Sequence, residues 1–556
     1  MFSPIFRRNL FFAASIAALL LIYIAPLGSY PLMEPDEGRY AEIPREMIES
    51  GNYITPTLNY VKYFEKPAFL YWMNAAAFHL FGENEFAARI GCALCALGGA
   101  AAAAVLGAFI YGRAAGFLAG VVAATSLLYF AIGTINITDM PLSFFLTLAF
   151  VSFYIAHVKE EKKYYLLFYF SCAMALLTKG LVGVVLPGAA IFCYIIATRQ
   201  WKLFYKPLWL PGIILFFAAG APWFYLVCRD NPDFFNFFFV REHFVRYATK
   251  MHGRYEPFWF FFPLIPAALV PWTAFLFALF SKRSVVRSPR GGGERRAVVY
   301  LLSWFAVILL FFSFSDSKLV PYIVPCVPPL AILIGADVFR MFEDKEWHGF
   351  ALPTLALFNG LLGVALLVYS FVGKEVAAAD ALPVASKSGF ALLAMPAAAW
   401  YYTSRCGRGF KPAIRALVLC SLLFVWGIEG VYGIVAPQRT MRDVSELIMK
   451  ESDGSETIAA FDEVLQGIPF YTKRRVMMVG SPGELEYGAA QPEGRGWFLE
   501  KEEFMPQWNS GKKSFILVVK NGDRLEYLFP KGKIRAAKRF DVGKYVVLFN
   551  REERRE

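Results

Sequence analysis

Apolar residues fall along this chain in long blocks, with polar residues gathered between them. A helix needs ~20 apolar residues to cross a hydrocarbon core of ~30 Å. On that measure about thirteen blocks predict transmembrane helices. They lie near residues 10–28, 88–110, 114–133, 140–157, 164–178, 181–197, 208–228, 258–281, 297–314, 319–339, 349–372, 388–403 and 413–434. Beyond residue 434 the pattern shortens. Thr457–Phe461, Arg475–Val479, Ser514–Val519 and Lys544–Phe549 are apolar runs bounded by Gly, Asp, Asn or Lys, which predicts strands. Segments 442–450 and 483–489 predict helices. The expected organisation is a polytopic helical membrane domain over residues 1–434, with external loops 29–87 and 229–257, followed by a soluble α/β domain over 435–556.

Composition strengthens this picture. Of 556 residues, 57% are hydrophobic and 18% charged, where soluble domains carry ~25% charged residues. That excludes a disordered chain, a fibrous protein and an ordinary cytosolic enzyme. The net charge of +12 first suggests nucleic acid, anionic lipid or topology. Sorting the loops decides for topology, because Lys and Arg stay on the cytoplasmic side. Loops with Arg7 and Arg8, Lys159 to Lys163, Arg199 to Lys206, Lys282 to Arg296, and Arg405 to Arg415 alternate with loops almost bare of them. The N-terminus is therefore expected inside and the tail outside, with the first span an uncleaved anchor. The tail's 21 basic and 19 acidic residues nearly cancel, so the excess belongs to the membrane part and gives no support to nucleic-acid binding. The eight cysteines lie in or beside spans. Cys92 and Cys95 form a C-x-x-C, but within an Ala-rich apolar helix they read as small residues between helices.

Candidate chemistry gathers in the external loops. Asp36, Glu37, Arg39, Tyr40 and Glu42 follow the first span; a helix along the membrane surface, broken or kinked at Pro44, is one reading of them. Glu65 and Lys66 sit among Tyr63, Phe64, Tyr71 and Trp72, as an aromatic belt or as a site for an anionic headgroup. Asp139 begins the fourth span, where a carboxylate is costly unless satisfied; helix capping and a site role both fit it. Loop 229–257 holds His243, Arg246 and His252, a basic patch suited to phosphate. Lys179 and Lys318 add cations at external turns, and Tyr322 enters the next span. A transporter is expected to hold polar groups near the midplane on broken helices. Here the span interiors are apolar and the polar groups share one side, which favours an enzyme acting on a lipid-linked phosphate.

Several of these segments form a recognisable series. Pro35-Asp36-Glu37-x-Arg39-Tyr40-Ala41-Glu42-Ile43, Tyr63-Phe64-Glu65-Lys66-Pro67 and Tyr71-Trp72 closely resemble the ArnT-like lipid A aminoarabinose transferases. That family lies within the superfamily that includes protein O-mannosyltransferases. Asp139, Thr178-Lys179-Gly180, Glu242-His243 with Arg246, Pro257-Phe258-Trp259 and Lys318 to Tyr322 follow in order. In the tail, Leu465 to Arg474 and Gly483-Glu484-Leu485 fit as well.

The resemblance implies a GT-C fold of about thirteen membrane helices, in keeping with the hydropathy count, with a periplasmic α/β domain and residence in a bacterial inner membrane. It implies inverting transfer of a sugar, 4-amino-4-deoxy-L-arabinose in lipid A transferases, from undecaprenyl phosphate to a lipid A phosphate. The partners implied are the undecaprenyl-phosphate-linked sugar, lipid A or another lipid-linked acceptor, and membrane lipid. By motif, Asp36 becomes the catalytic carboxylate and Asp139 a second acidic residue. Lys66, Arg246 and Tyr322 would hold the donor phosphate, supported by Glu37, Arg39, Tyr40, Lys179 and Lys318. No cofactor is required for the chemistry; Glu65 and His243 are candidate ligands for a structural divalent metal such as zinc. Position 38 is Gly where lipid A enzymes usually carry Thr. A related polyprenyl-phosphate-sugar transferase with another sugar or acceptor is therefore the alternative.

Overall fold

Helices occupy every block that hydropathy marked, but not always as one straight span. The structure is a computed structural model that describes residues 4–207, 209–245, 256–372, 378–404, 409–529 and 536–551. Among the described residues, eight helices are long and apolar enough to cross a membrane. Arg113–Thr125 and Leu127–Gly133 together make a ninth, bent by 65°. Asn9–Ile24, Val182–Thr198 and Phe258–Ala268 are shorter apolar helices, and Lys162–Lys179 is a further helix. The predicted span 258–281 is corrected most. It resolves into a 3-10 turn, Phe258–Phe260, and two short helices, Phe261–Ala268 and Thr273–Ala278. Proline explains the break, since Pro271 lacks an N–H and cannot continue the preceding turn.

The chain divides into two compact units. One comprises Met1–Leu27 and Arg89–Ile434; the other comprises Gly28–Ala88 and Val435–Glu556. Residues 28–88, expected to belong with the membrane domain, thus share a unit with the C-terminal domain.

In the first unit, helices differ in how much apolar surface they hide. Over an 18-residue stretch of each span, 89% of the residues are buried in Val320–Asp344, against 22% in Trp209–Asp230 and in Ala351–Tyr369. The former is an inner helix; the latter two present Leu and Phe side chains suited to lipid. Close approach of Val327–Asp344 to Arg113–Thr125 depends on Gly335, where a Cβ would stand 2.5 Å from the Ala119 nitrogen. The 65° bend frees backbone groups that water cannot reach. The Tyr23 hydroxyl donates to the Ala124 carbonyl at 2.7 Å, Trp272 Nε1 donates to Thr125 Oγ1 at 2.8 Å, and the Leu127 N–H reaches the Val270 carbonyl at 2.9 Å.

In the second unit, a small hairpin, β1 (Thr57–Leu58) and β2 (Val61–Lys62), accompanies a six-stranded sheet. The sheet contains β3 (Thr457–Phe461), β4 (Val476–Val479), β5 (Phe498–Leu499), β6 (Phe515–Lys520), β7 (Lys538–Val542) and β8 (Tyr545–Phe549) in the order β5-β4-β3-β6-β8-β7. The first four neighbours are parallel; β8 pairs antiparallel with both β6 and β7. Both faces are covered, which is why the central strands read as continuous apolar runs. Ile458, Ala460, Ile516 and Val518 face one core with Val444 and Ile448 of the helix Arg442–Glu451. Ala459, Phe461, Leu517 and Val519 face the other with Phe504 and Trp508 of the helix Lys501–Ser510. The sequence pattern missed β5, which is two residues long, and β7. Arg539 and Asp541 give β7 an exposed polar face on the sheet edge, a placement that discourages further pairing.

Candidate active site

In the second unit, Asp36 opens the helix Asp36–Ser50. The expected break at Pro44 does not occur. Pro44 leaves the Tyr40 carbonyl without its usual partner four residues on, and Asn74 Nδ2 donates to that oxygen at 2.9 Å instead. Nor does the helix lie on a surface, since Glu37 through Met47 are all buried. The Glu37 carboxylate accepts the Met33 N–H at 3.0 Å and so ties the first turn to the segment before it.

Arg39 organises the charges here. Its Nη1 stands 3.2 Å from Asp36 Oδ1 and its Nη2 2.5 Å from Glu484 Oε2. The guanidinium also lies 5.5 Å from the centre of the Tyr40 ring and 6.0 Å from that of Tyr63. The outcome is asymmetric. The Arg39 side chain is 10% exposed, while Asp36 is 57% exposed and open to a reactant. Burial raises the Glu484 carboxyl above its ordinary value, Arg39 opposes the rise, and Glu65 and Asp36 add to it. Burial likewise pushes the Tyr63 and Tyr71 hydroxyls up, so both are neutral donors. Lys66 Nζ donates to the Glu65 carbonyl at 2.9 Å and stands 3.9 Å from its carboxylate.

Glu34 and Gly38 explain each other. Glu34 Oε1 accepts the Gly467 N–H at 2.5 Å. A Cβ at position 38 would stand 2.7 Å from that same oxygen and 2.9 Å from the Gly467 nitrogen. Glycine at 38 therefore answers a local crowding of backbone and carboxyl. Although part of Glu34 is open to solvent, its carboxyl end is enclosed, and burial lifts it to about 8. Backbone donors from Gly467 and Gln466, and the charge of Arg39, pull the other way.

In the first unit, Asp139 opens the helix Asp139–Lys159 and Lys179 closes the helix Lys162–Lys179. Each charge suits the dipole of its own helix end. They meet with Lys179 Nζ 2.6 Å from Asp139 Oδ1, at 13% and 12% side-chain exposure. Lys179 Nζ also lies 4.6 Å from the centre of the Tyr322 ring. Lys179, expected only as support, is thus the direct partner of Asp139. Lys318 is held apart from this cluster by carbonyls, donating to Glu256 at 2.7 Å and Ser315 at 2.5 Å. Burial lowers its ammonium from the ordinary value, opposed by Asp316 and Glu256.

Arg246 and the side chain of His243 lie outside the described residues. Among the described residues, no three His, Cys, Asp or Glu side chains group as metal ligands, and Glu65 faces Lys66. No step is assigned to a metal.

Comparison with known proteins adds the family. Residues 65–226 match the family described as dolichyl-phosphate-mannose-protein mannosyltransferase, and residues 444–527 match the aminoarabinose transferase C-terminal domain. The chain is 32% identical to undecaprenyl phosphate-alpha-4-amino-4-deoxy-L-arabinose arabinosyl transferase 1 of Proteus mirabilis, covering 92% of each chain. It is 31% identical to the corresponding transferase of Shewanella sediminis, covering 84% of this chain and 86% of that one. The chain belongs to the undecaprenyl phosphate-aminoarabinose arabinosyl transferase family. Its fold matches the crystal structure of ArnT from Cupriavidus metallidurans in the apo state, with TM-score 0.84, 27% identity and 97% of each chain covered. The same protein bound to undecaprenyl phosphate matches with TM-score 0.82.

For a transferase of this family, the residue least visible in the sequence is Glu484. Its tripeptide fitted the family, but no spacing links residue 484 to residue 39. Only the folded chain shows that Arg39 is buried and shared between Asp36 and Glu484.

Proposed function

We propose that this membrane protein is an inverting glycosyltransferase that moves 4-amino-4-deoxy-L-arabinose from undecaprenyl phosphate to a lipid A phosphate. The observation that carries this reading is the similarity to named arabinosyl transferases over 92% of the chain, with Asp36 both oriented by Arg39 and exposed. An oxygen of the acceptor phosphate attacks the anomeric carbon. The bond from that carbon to the donor phosphate oxygen breaks, and undecaprenyl phosphate leaves with the electron pair.

The acceptor phosphate is already ionised and needs little help from a base. Asp36 therefore serves chiefly to stabilise positive charge developing on the sugar and to orient the acceptor. Lys66, Arg246 and Tyr322 hold the donor phosphate, where cations aimed at growing negative charge lower the barrier. Asp139 fixes Lys179 beside the Tyr322 ring, so that Lys179 supports the same phosphate. Glu37 and Tyr40 anchor the helix that presents Asp36. The basic loops favour an inner-membrane orientation with the N-terminus cytoplasmic and the tail periplasmic.

The test is transfer by the purified, reconstituted chain from undecaprenyl-phosphate-linked aminoarabinose to lipid A, followed by mass spectrometry. A lipid A product heavier by one aminopentose supports the reading. Turnover with a different sugar and none with aminoarabinose would refute the substrate while leaving the reaction class.

A further inference from the structure

A cavity of about 1100 Å³ opens in the first unit among the loops that carry the excess positive charge. It has no part in the chemistry described above. Six cations line it: Arg199, Lys202, Lys206, Arg290, Arg296 and Arg340. Three carboxylates line it too, and each is already taken. Glu160 pairs with Lys206 at 2.5 Å, Glu343 pairs with Arg290 at 2.7 Å, and Glu294 pairs with Arg340. Arg199, Lys202 and Arg296 have no carboxylate partner among the described residues. All three are exposed to solvent around one cavity, which leaves them available to an anion from elsewhere.

Two further features point to a ligand. The Tyr111 hydroxyl and His157 Nδ1 both belong to residues lining the cavity, and both atoms are buried with no hydrogen-bond partner. A buried polar atom left unsatisfied is costly unless something supplies its partner. A phosphate supplies acceptor oxygens to a hydroxyl and to guanidinium forks alike. The second feature is aromatic. Trp201 lines the cavity and is 54% exposed, and nearby in sequence Tyr205 and Trp209 are 85% and 47% exposed. Exposed Trp and Tyr at the end of a span sit at the headgroup level of a bilayer, and favour a lipid over a soluble anion.

We propose that this cavity seats the phosphate headgroup of an anionic phospholipid, held by Arg199, Lys202 and Arg296. On the orientation read from the basic loops, that lipid comes from the cytoplasmic leaflet. The site is separate from sugar transfer.

The full chain, purified with phosphatidylglycerol or phosphatidylcholine, tests this by native mass spectrometry of the retained lipid. Arg199→Gln, Lys202→Gln and Arg296→Gln together should weaken phosphatidylglycerol retention roughly tenfold, since charge-assisted bonds to phosphate are lost, and leave phosphatidylcholine unchanged. A control with Lys282→Gln, Arg287→Gln and Arg295→Gln removes equal charge outside the cavity and should retain phosphatidylglycerol. Equal retention by both triple variants would overturn the site. A charge-keeping variant, Arg199→Lys with Arg296→Lys, should retain most of the lipid; complete loss there would mean that the fold, not the charge, had been disturbed, and would also overturn it. Inorganic phosphate and ATP are titrated as competitors. Failure to displace the lipid supports the headgroup, and displacement by either assigns the cavity to a soluble phosphate and overturns the lipid. Sugar transfer is assayed in parallel, so failure of this proposal is distinct from failure of the transferase reading.

Discussion

The two acidic centres of this protein are built on opposite plans. Asp139, among the helices of the first unit, is 12% exposed and bound to Lys179 at 2.6 Å. Asp36, in the second unit, is 57% exposed and shares Arg39 at 3.2 Å with Glu484. A carboxylate between membrane helices cannot rely on water and must be closely paired. Outside, water does part of that work, so a carboxylate can be oriented by a shared cation and still face a reactant. The first arrangement suits holding structure and charge in place; the second suits chemistry.

That contrast can be broken by experiment. The largest effect is expected from Asp36→Asn, which should cut sugar transfer by ~10²–10⁴-fold with little change in stability, because the exposed ion pair contributes little. Turnover and thermal unfolding of the same preparation check both halves, and full activity would remove Asp36 from the reaction. Next, Lys179→Met should destabilise the first unit by ~3 kcal/mol, as an almost buried carboxylate loses its partner. Asp139→Asn in the same chain should restore part of that loss, as a double-mutant cycle in detergent would show. Gly38→Thr should cost ~1–3 kcal/mol through collision with Glu34 and the Gly467 backbone. If it instead changed sugar preference at unchanged stability, glycine at 38 would be a specificity feature after all.

A further effect is in pH. The enclosed Glu34 carboxyl titrates at about 8 rather than 4.5, so the folded state binds a proton that the unfolded chain has released. Its contribution is full below the unfolded value and is lost as pH rises through about 8. Melting temperature should therefore decline across that window, and Glu34→Gln should flatten the decline.

Much of this was legible in local pattern. Apolar blocks of helical length foretold the membrane helices, and the apolar runs after residue 456 foretold the central strands. The segment from Pro35 to Ile43 marked Asp36. Other features escaped because their causes are not local. Pro44 looked like a break until Asn74 supplied the missing donor to Tyr40. The span over 258–281 looked continuous because an average over many residues ignores the backbone N–H that each proline lacks. Lys179 looked like a turn residue until the helix that it ends met the helix that Asp139 begins.

Hydrophobic period, charge sidedness and motif identity are properties of neighbouring residues, and they suffice for the membrane helices, the α/β tail and the family. Which groups share a charge is a matter of distance in space. Arg39 and Glu484, Glu34 and Gly467, and Asp139 and Lys179 each join residues far apart in sequence. Ion pairs and backbone contacts act over a few ångströms, whatever the length of chain between the partners, so only the folded molecule could pair them.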